Sequence, residues 1–334
     1  MSKIKIAVIG ATGTALKRTI PALQHSPLCE VAAIQGRSEE KLRAAAGQYG
    51  IPHYFLSPEE MLQTMGCELA FIGNPPFMHF ESVKTALQYE KAVLCEKPLA
   101  VNYEEGLRIA GLVAENRGIP FGVAHHLRHQ KAIADIKNWI ESGEIGQVLN
   151  VWCQWGFFMK TGVPKAVWKL DSDKAGAGTF SDNGIHIIDL ILYLFGPPQG
   201  LFGKSRKIRF NSTYDDESAM LVYEDKTVFL SASQSMDHPG NHLLIYGTEG
   251  SIEAFGGIGE ASMERVELKN GNGAQNFTYE KENLYGNEVE DFIRGHLFAG
   301  ERATVGTSLS DALTSLKIID LIRESSTQEQ YKAL

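Results

Sequence analysis

The chain has 334 residues, of which 43% are hydrophobic and 22% charged, enough for one large or two ordinary domains of globular rather than disordered or fibrous character. Its formal net charge of -8 argues against a nucleic-acid partner, which calls for a basic face, and no apolar run reaches the length of a membrane span. The four cysteines, Cys29, Cys67, Cys95 and Cys153, are far apart with no CxxC pair, which disfavours metal ribbons and disulfide frameworks and suits a reducing cytoplasm.

The first part of the chain alternates strand, turn and helix. Met1 to Leu16 raises a signal peptide, but Gly10 to Gly13 interrupt its apolar stretch, and Ile4 to Ile9 fits a first strand better. A helix is expected from about Thr14 to Gln24, bent or shortened by Pro21. Cys29 to Gln35 reads as the second strand, and Ser38 as the cap of the helix after it. Ser57 and Glu60 form a capping box. Glu68 to Ile72 is a strand stopped by Gly73-Asn74-Pro75-Pro76, Phe77 to Tyr89 is helical, and Ala92 to Cys95 is a strand. Asn102 and Glu105 cap a helix reaching about Asn116, and Pro120 to Ala124 ends the series. Apolar strands alternating with helices argue for a parallel sheet covered on both faces.

Near residue 122 the pattern changes to longer alternating segments, Gln147 to Phe157, Ala219 to Gln234 and His242 to Ala254, with turns such as Asn270-Gly271-Asn272-Gly273. These read as hairpins of a mostly antiparallel sheet. Helices are expected at about Gln130 to Glu141, Thr179 to Phe195, Glu288 to Leu297 and Leu309 to Glu324. The division expected is residues 1–122 for nucleotide binding and 123–334 for substrate binding and oligomerisation.

Three places carry chemistry. Gly10-Ala11-Thr12-Gly13-Thr14-Ala15 follows a strand and opens a helix, as a dinucleotide pyrophosphate requires, although Thr12 stands where G-x-G-x-x-G/A has its second glycine. The second strand ends Gln35-Gly36-Arg37-Ser38, without the acidic residue that usually holds a ribose 2′-OH. Arg37 and Ser38 suit a 2′-phosphate, so NADP(H) is expected ahead of NAD(H). Lys97, in Val93-Leu94-Cys95-Glu96-Lys97-Pro98-Leu99, follows an apolar strand and can stabilise charge on a reacting oxygen. Asp182 and His186, four apart in one expected helix, share a face; the imidazole suits proton transfer near neutrality, and the carboxylate suits holding a hydroxyl. Gly176-Ala177-Gly178 reads as a flexible approach loop, and Asp189 as a hydrogen-bonding neighbour of that face. His126 and Arg128, at the end of the last parallel strand, are substrate candidates, with interdomain hydrogen bonding the alternative. His125, His126 and His129 are dense, but with neither a companion cysteine nor H-E-x-x-H no metal is expected. Trp152, Trp155 and Trp168 read as core or pocket wall, Trp168 being the substrate-contact candidate.

Several segments resemble the glucose–fructose oxidoreductase / inositol dehydrogenase / rhizopine-catabolism (Gfo/Idh/MocA) family. They are Gly10 to Leu23, Asn74-Pro75-Pro76 with His79, Ala86-Leu87 to Pro98 with its Glu96-Lys97-Pro98, Ile140 to Val148, and Gly178 to Asp189. His125-His126-Leu127-Arg128 resembles a segment of the NADPH-dependent 1,5-anhydrofructose reductases. The resemblance implies an α/β chain: an N-terminal Rossmann domain, then an α/β domain with a large, mostly antiparallel open sheet that often forms an oligomer interface. It places Lys97, Asp182 and His186 at catalytic positions and Gly10, Thr12, Gly13, Thr14, Asn74, Pro75, His79, Glu96 and Lys97 at cofactor contacts. Thr12, and Ala177 within the usual glycine run, depart from the pattern.

The reading is hydride transfer between NADP(H) and a small sugar, sugar-derived ketone or cyclitol, by a homodimer or homotetramer. Two alternatives stay open at this point: a glycosidase that oxidises its sugar transiently with a retained nicotinamide, and a non-catalytic NADP(H) sensor.

Overall fold

The computed structural model describes residues 2–160, 168–176, 178–298 and 305–334. It contains two compact units: Met1–His126 with Tyr285–Leu313, and Leu127–Leu284 with Thr314–Leu334. Tyr285–Leu313 therefore belongs to the first unit, which a single cut at residue 122 does not anticipate. No described helix is long and apolar enough to cross a membrane.

The first unit is built on six parallel strands, β1 (Ile4–Ile9), β2 (Cys29–Gln35), β3 (His53–Phe55), β4 (Leu69–Ile72), β5 (Ala92–Glu96) and β6 (Phe121–Ala124), in the order β3-β2-β1-β4-β5-β6. Helices α1 (Thr14–Lys17), α2 (Thr19–Leu23), α3 (Glu39–Tyr49), α4 (Pro58–Thr64), α5 (His79–Gln88) and α6 (Tyr103–Glu115) lie between them in sequence. Every residue of β4 and β5 is buried. That explains their unbroken apolar runs, since a strand covered on both faces has no polar side to alternate with. Strand order reverses between β1 and β4, so the loops after these two strands flank the switch point at which such sheets bind ligands.

The expected first helix is two. Pro21 has no N–H to give to the carbonyl of Lys17, and the chain breaks at Arg18 (φ -123°, ψ -66°). The caps fall where the sequence puts them. Ser38, Ser57 and Asn102 accept the N–H of Lys41, Glu60 and Glu105 respectively. The Ser57 box is altered, because its hydroxyl donates to Glu59 at 2.6 Å. Late in the chain a helix, α10 (Leu284–His296), returns Val289, Phe292 and Ile293 to the core formed by Ile6, Val8, Ile34, Leu69 and Phe71.

The second unit holds nine strands: β7 (Val148–Gly156), β8 (Gly200–Arg206), β9 (Asp216–Val222), β10 (Thr227–Ser233), β11 (His242–Gly247), β12 (Ser251–Phe255), β13 (Arg265–Asn270), β14 (Gly273–Thr278) and β15 (Lys332–Ala333). Their order is β14-β13-β12-β11-β7-β10-β9-β8-β15. All neighbours are antiparallel except β7 and β10. The segments Ala219 to Gln234 and His242 to Ala254 each contain a hairpin turn, so each supplies two strands. The helices are α7 (Lys131–Glu141), α8 (Ser172–Ala175), α9 (Ile185–Phe195) and α11 (Leu309–Gln328), the last beginning in the first unit. Helix α9 is buried almost all round, as its near-continuous apolar sequence requires. One face of the sheet supplies core through Val151, Cys153, Leu221, Val228, Leu230, Leu243 and Ile245. The other carries a cross-strand row, Phe202, Met220, Phe229, Trp152 and Leu244, each paired in register with the next. Trp152 stacks on Phe229 at 4.2 Å yet remains 45% exposed.

Candidate functional site

In the first unit the glycine turn and the loop after β4 meet. Gly10 has φ +79°, and a Cβ there would lie 2.5 Å from the backbone nitrogen of Asn74. Only glycine meets both conditions. The Gly10 N–H donates to the side-chain carbonyl of Gln35 at 3.3 Å, and the Gln35 amide donates to the carbonyl of Leu56 at 2.9 Å. Gln35 thus occupies the end of β2 with internal work. Thr12, in place of the second glycine, directs its methyl over Gly36: a Cβ on Gly36 would lie 3.2 Å from it. The missing glycine of the turn is matched by a glycine just past the end of β2. A Cβ on Gly13 would meet nothing within 4 Å, and no side chain caps the start of α1 at Thr14. An open backbone cradle beside the switch point fits a dinucleotide pyrophosphate.

Arg37 is exposed immediately after β2, and Ser38 is half-buried as the cap of α3. The nearby carboxylate of Glu39 is engaged by Arg43 at 2.9 Å.

Glu96, buried at the end of β5, accepts the N–H of Lys97 at 3.2 Å. Lys97 is half-buried and followed by a cis bond to Pro98. His79 is fully buried: its Nδ1 lies 3.1 Å from the carbonyl of Leu99 and its Nε2 2.9 Å from that of Asn74. Both nitrogens face protein carbonyls, so the ring's polar atoms are engaged within the protein. His79 staples the loop after β4 to the loop carrying Lys97. Burial depresses its pKa, although both carbonyls favour the cation. Asn74 donates its amide to Ser82 at 2.7 Å, and Pro75 is extended (φ -62°, ψ 152°). His126 is buried with its ring stacked on Tyr285 at 4.8 Å.

In the second unit the helix expected from Thr179 opens as a wide π-helical turn, Phe180–Gly184, that runs into α9. Such turns mark functional sites more often than chance, and the wider winding rotates Asp182 relative to His186 compared with a continuous α-helix. Asn183 anchors the turn to β7 by donating to the carbonyl of Trp155 at 2.6 Å, and accepts from the Thr179 hydroxyl at 2.6 Å. The Asp182 carboxylate receives Lys169 Nζ at 2.8 and 3.0 Å and Gln234 Nε2 at 3.0 Å. This pair stays reachable, with side-chain exposures of 33% for Lys169 and 23% for Asp182. His186 is buried with its ring stacked on Trp155 at 5.1 Å. Trp168, half-buried, lies beside Lys169, whose Nζ is 6.0 Å from its ring centre.

Arg128 has its charge met within the second unit. It is buried and gripped by Asp189 in a bidentate pair, with Nε to Oδ2 and Nη2 to Oδ1 both at 2.7 Å, and its guanidinium lies 5.2 Å from the Tyr193 ring. A guanidinium so committed within the unit has the partners that a packing role requires. Ala177 lies outside the described residues. Lys169, Gln234 and Gln35 were not singled out from sequence. Lys169 stands in no helical register with Asp182, and Gln234, just past β10, lies 52 residues from it in sequence.

Comparison with protein families is decisive for the whole arrangement. Residues 4–125 match the model described as "Oxidoreductase family, NAD-binding Rossmann fold", and residues 133–253 match that of the GFO/IDH/MocA C-terminal domain. The chain belongs to the Gfo/Idh/MocA oxidoreductase family. Within it, the chain is 27% identical over 322 residues to D-xylose 1-dehydrogenase (NADP(+)) 2 of Haloferax volcanii, covering 95% of this chain and 96% of that one. It is 24% identical over 313 residues to 1,5-anhydro-D-fructose reductase of Ensifer adhaerens, covering 86% and 88%. Aldose-aldose oxidoreductase from Caulobacter crescentus, solved with glycerol, shares the fold with a TM-score of 0.90 at 20% identity, covering 100% of both chains. Membership of the Gfo/Idh/MocA family identifies the first unit as an NAD(P)-binding Rossmann domain and the nine-stranded sheet as the family's C-terminal domain.

Proposed function

We propose that this family member is an NADP(H)-dependent oxidoreductase acting on a sugar, a sugar-derived ketone or a cyclitol. The observation that carries the reading is the Asp182 carboxylate, set by Lys169 and Gln234 at a reachable position four residues before His186. Such a carboxylate suits the acceptance of a hydrogen bond from a substrate hydroxyl, and a site built around hydroxyls rejects analogues that lack them. In the reducing direction Lys97 polarises the carbonyl oxygen, His186 delivers the proton to it, and Asp182 orients the polyol. The bound nicotinamide supplies the hydride. Gly10, Thr12, Gly13, Thr14, Asn74, Pro75 and Glu96 hold the cofactor.

The preference for NADP(H) rests on Arg37 and Ser38 beyond β2 and on Gln35, a neutral and internally bonded residue, at the strand end. The names of the xylose dehydrogenase and anhydrofructose reductase relatives support the sugar class, and that of the xylose dehydrogenase also supports the phosphorylated cofactor. The row Phe202, Met220, Phe229, Trp152 and Leu244 supports a homodimer or homotetramer assembled through the open sheet face. Absorbance at 340 nm of the purified protein, with NADPH or NADH against ketoses and aldoses and with NADP+ or NAD+ against aldoses, polyols and cyclitols, tests the reading. Turnover of at least one polyol, faster with the phosphorylated cofactor, is expected; no turnover of any member in either direction overturns it.

A further inference from the structure

A buried charge in the second unit lies beyond the residues assigned above. Glu217, on β9, faces the same side as Ala219 and Leu221, where a side chain is expected to be apolar. A carboxylate there must be fully satisfied. Its Oε2 accepts the N–H of Phe180 at 2.7 Å, and its Oε1 accepts the hydroxyl of Ser205 at 2.8 Å. Arg323, on α11, brings Nε to 3.6 Å from Glu217 Oε1 and donates Nη2 to the hydroxyl of Ser181 at 2.8 Å. The two charged groups therefore grip consecutive residues, Phe180 and Ser181, immediately ahead of Asp182. Burial raises the Glu217 pKa, and Arg323 opposes that rise.

Gly178 completes the device. Its φ is +129°, and a Cβ there would sit 2.5 Å from Glu217 Oε2 and 3.0 Å from Tyr214 Cβ. Next to it, the Thr179 N–H donates to the carbonyl of Tyr214 at 2.8 Å. The glycine admits the carboxylate to the start of the turn, a role different from supplying a flexible approach. Well-packed apolar side chains would stabilise such a core at least as well as an ion pair. What Glu217 and Arg323 add is direction: hydrogen bonds fixing where the turn begins, and hence where Asp182 points.

We propose that Glu217 and Arg323 are positioning residues that set the wide turn Phe180–Gly184 so that Asp182 can hold the substrate. The proposal rests on the reading of Asp182 as the substrate-orienting carboxylate. Full-length Glu217→Gln, Arg323→Lys, Asp182→Asn and the double variant Glu217→Gln/Asp182→Asn test it. Three quantities are read: KM and kcat with the polyol that turns over, NADPH affinity by fluorescence, and amide exchange across 178–186. Glu217→Gln and Arg323→Lys are each expected to raise KM about tenfold, the scale of one directed hydrogen bond, with kcat and NADPH affinity changed less than about threefold. Exchange at 179–183 rises in both variants. The double variant is no worse than Asp182→Asn by more than about twofold, because both substitutions damage one function.

Multiplicative losses in the double variant, or unchanged exchange in the turn, overturn the proposal. If Glu217→Gln does not fold, Arg323→Lys, which removes the reach to Ser181 while keeping the charge, decides alone on the same readouts. If the wild type turns over no polyol, the functional reading fails. The exchange measurement then still decides whether the pair sets the turn.

Discussion

Arg128→Leu separates a substrate role from a packing role. The guanidinium and the Asp189 carboxylate are 3% and 0% exposed, joined by two contacts of 2.7 Å. Removing one member of a buried pair strands the other charge, which costs about 3–5 kcal/mol. Loss of the guanidinium from the Tyr193 ring adds roughly 0.5–1 kcal/mol. With about 2–4 °C of melting temperature per kcal/mol for a domain of this size class, the unit should melt about 7–24 °C lower. Replacing both partners, as in Arg128→Leu/Asp189→Leu, removes the stranded charge and should recover at least half of that loss. The assay is a thermal melt of both variants by circular dichroism, with KM measured at a temperature where each is folded. A wild-type melting temperature together with a raised KM in Arg128→Leu would refute the packing account and restore Arg128 as a substrate ligand.

Four further outcomes are expected. Gly10→Ala, forced into positive φ and against Asn74, should cost about 2–4 kcal/mol and weaken NADPH binding; an unperturbed melt and affinity would remove the turn from the cofactor account. Arg37→Ala should weaken NADPH about 10–100-fold, the range of a charge-assisted contact, while leaving NADH within about twofold, as measured by fluorescence titration. His79 has a lowered pKa in the folded protein, so below about pH 6.5 the unfolded chain takes up a proton that the folded one refuses. Its contribution is complete above that pH and is lost as pH falls toward the folded value, by at most about 1.4 kcal/mol per pH unit. His79→Gln should flatten that slope in melts between pH 5 and 7, His296 with its own lowered pKa leaving a remainder. Trp152→Glu, in the apolar row of the open sheet face, should lower the oligomer's mass in light scattering while the secondary structure persists.

The doubly covered first sheet was legible because its strands are continuous apolar runs punctuated by Gly10, Gly36 and Gly73. Ser38, Ser57 and Asn102 announced helix starts by a local mechanism that needs no tertiary contact. What sequence could not give is long-range. The parallel pairing of β7 with β10 joins strands on either side of α9, and β15 is too short to show a period. The return of Val289, Phe292 and Ile293 to the first core leaves only an amphipathic pattern, silent about which sheet it covers. For the site, residue type was readable and commitment was not. His79, His126 and Arg128 look identical in sequence whether they face a ligand or a protein group. Only the structure shows the carbonyls of Asn74 and Leu99 at His79, the ring of Tyr285 at His126 and the carboxylate of Asp189 at Arg128. Lys169 and Gln234 were invisible for the converse reason, since nothing in their spacing from Asp182 reports that they meet it.

Single-turnover absorbance at 340 nm, with NADPH bound and its occupancy checked by fluorescence, tests the central claim most directly when run on the wild type, Lys97→Ala and His186→Ala. The account expects His186→Ala to bind NADPH within about threefold of wild type, Lys97→Ala to bind it more weakly but still saturably, and both variants, at full NADPH occupancy, to slow the chemical step by about 100-fold or more, the scale of a lost acid or oxyanion partner. Equal rates in all three proteins would contradict it.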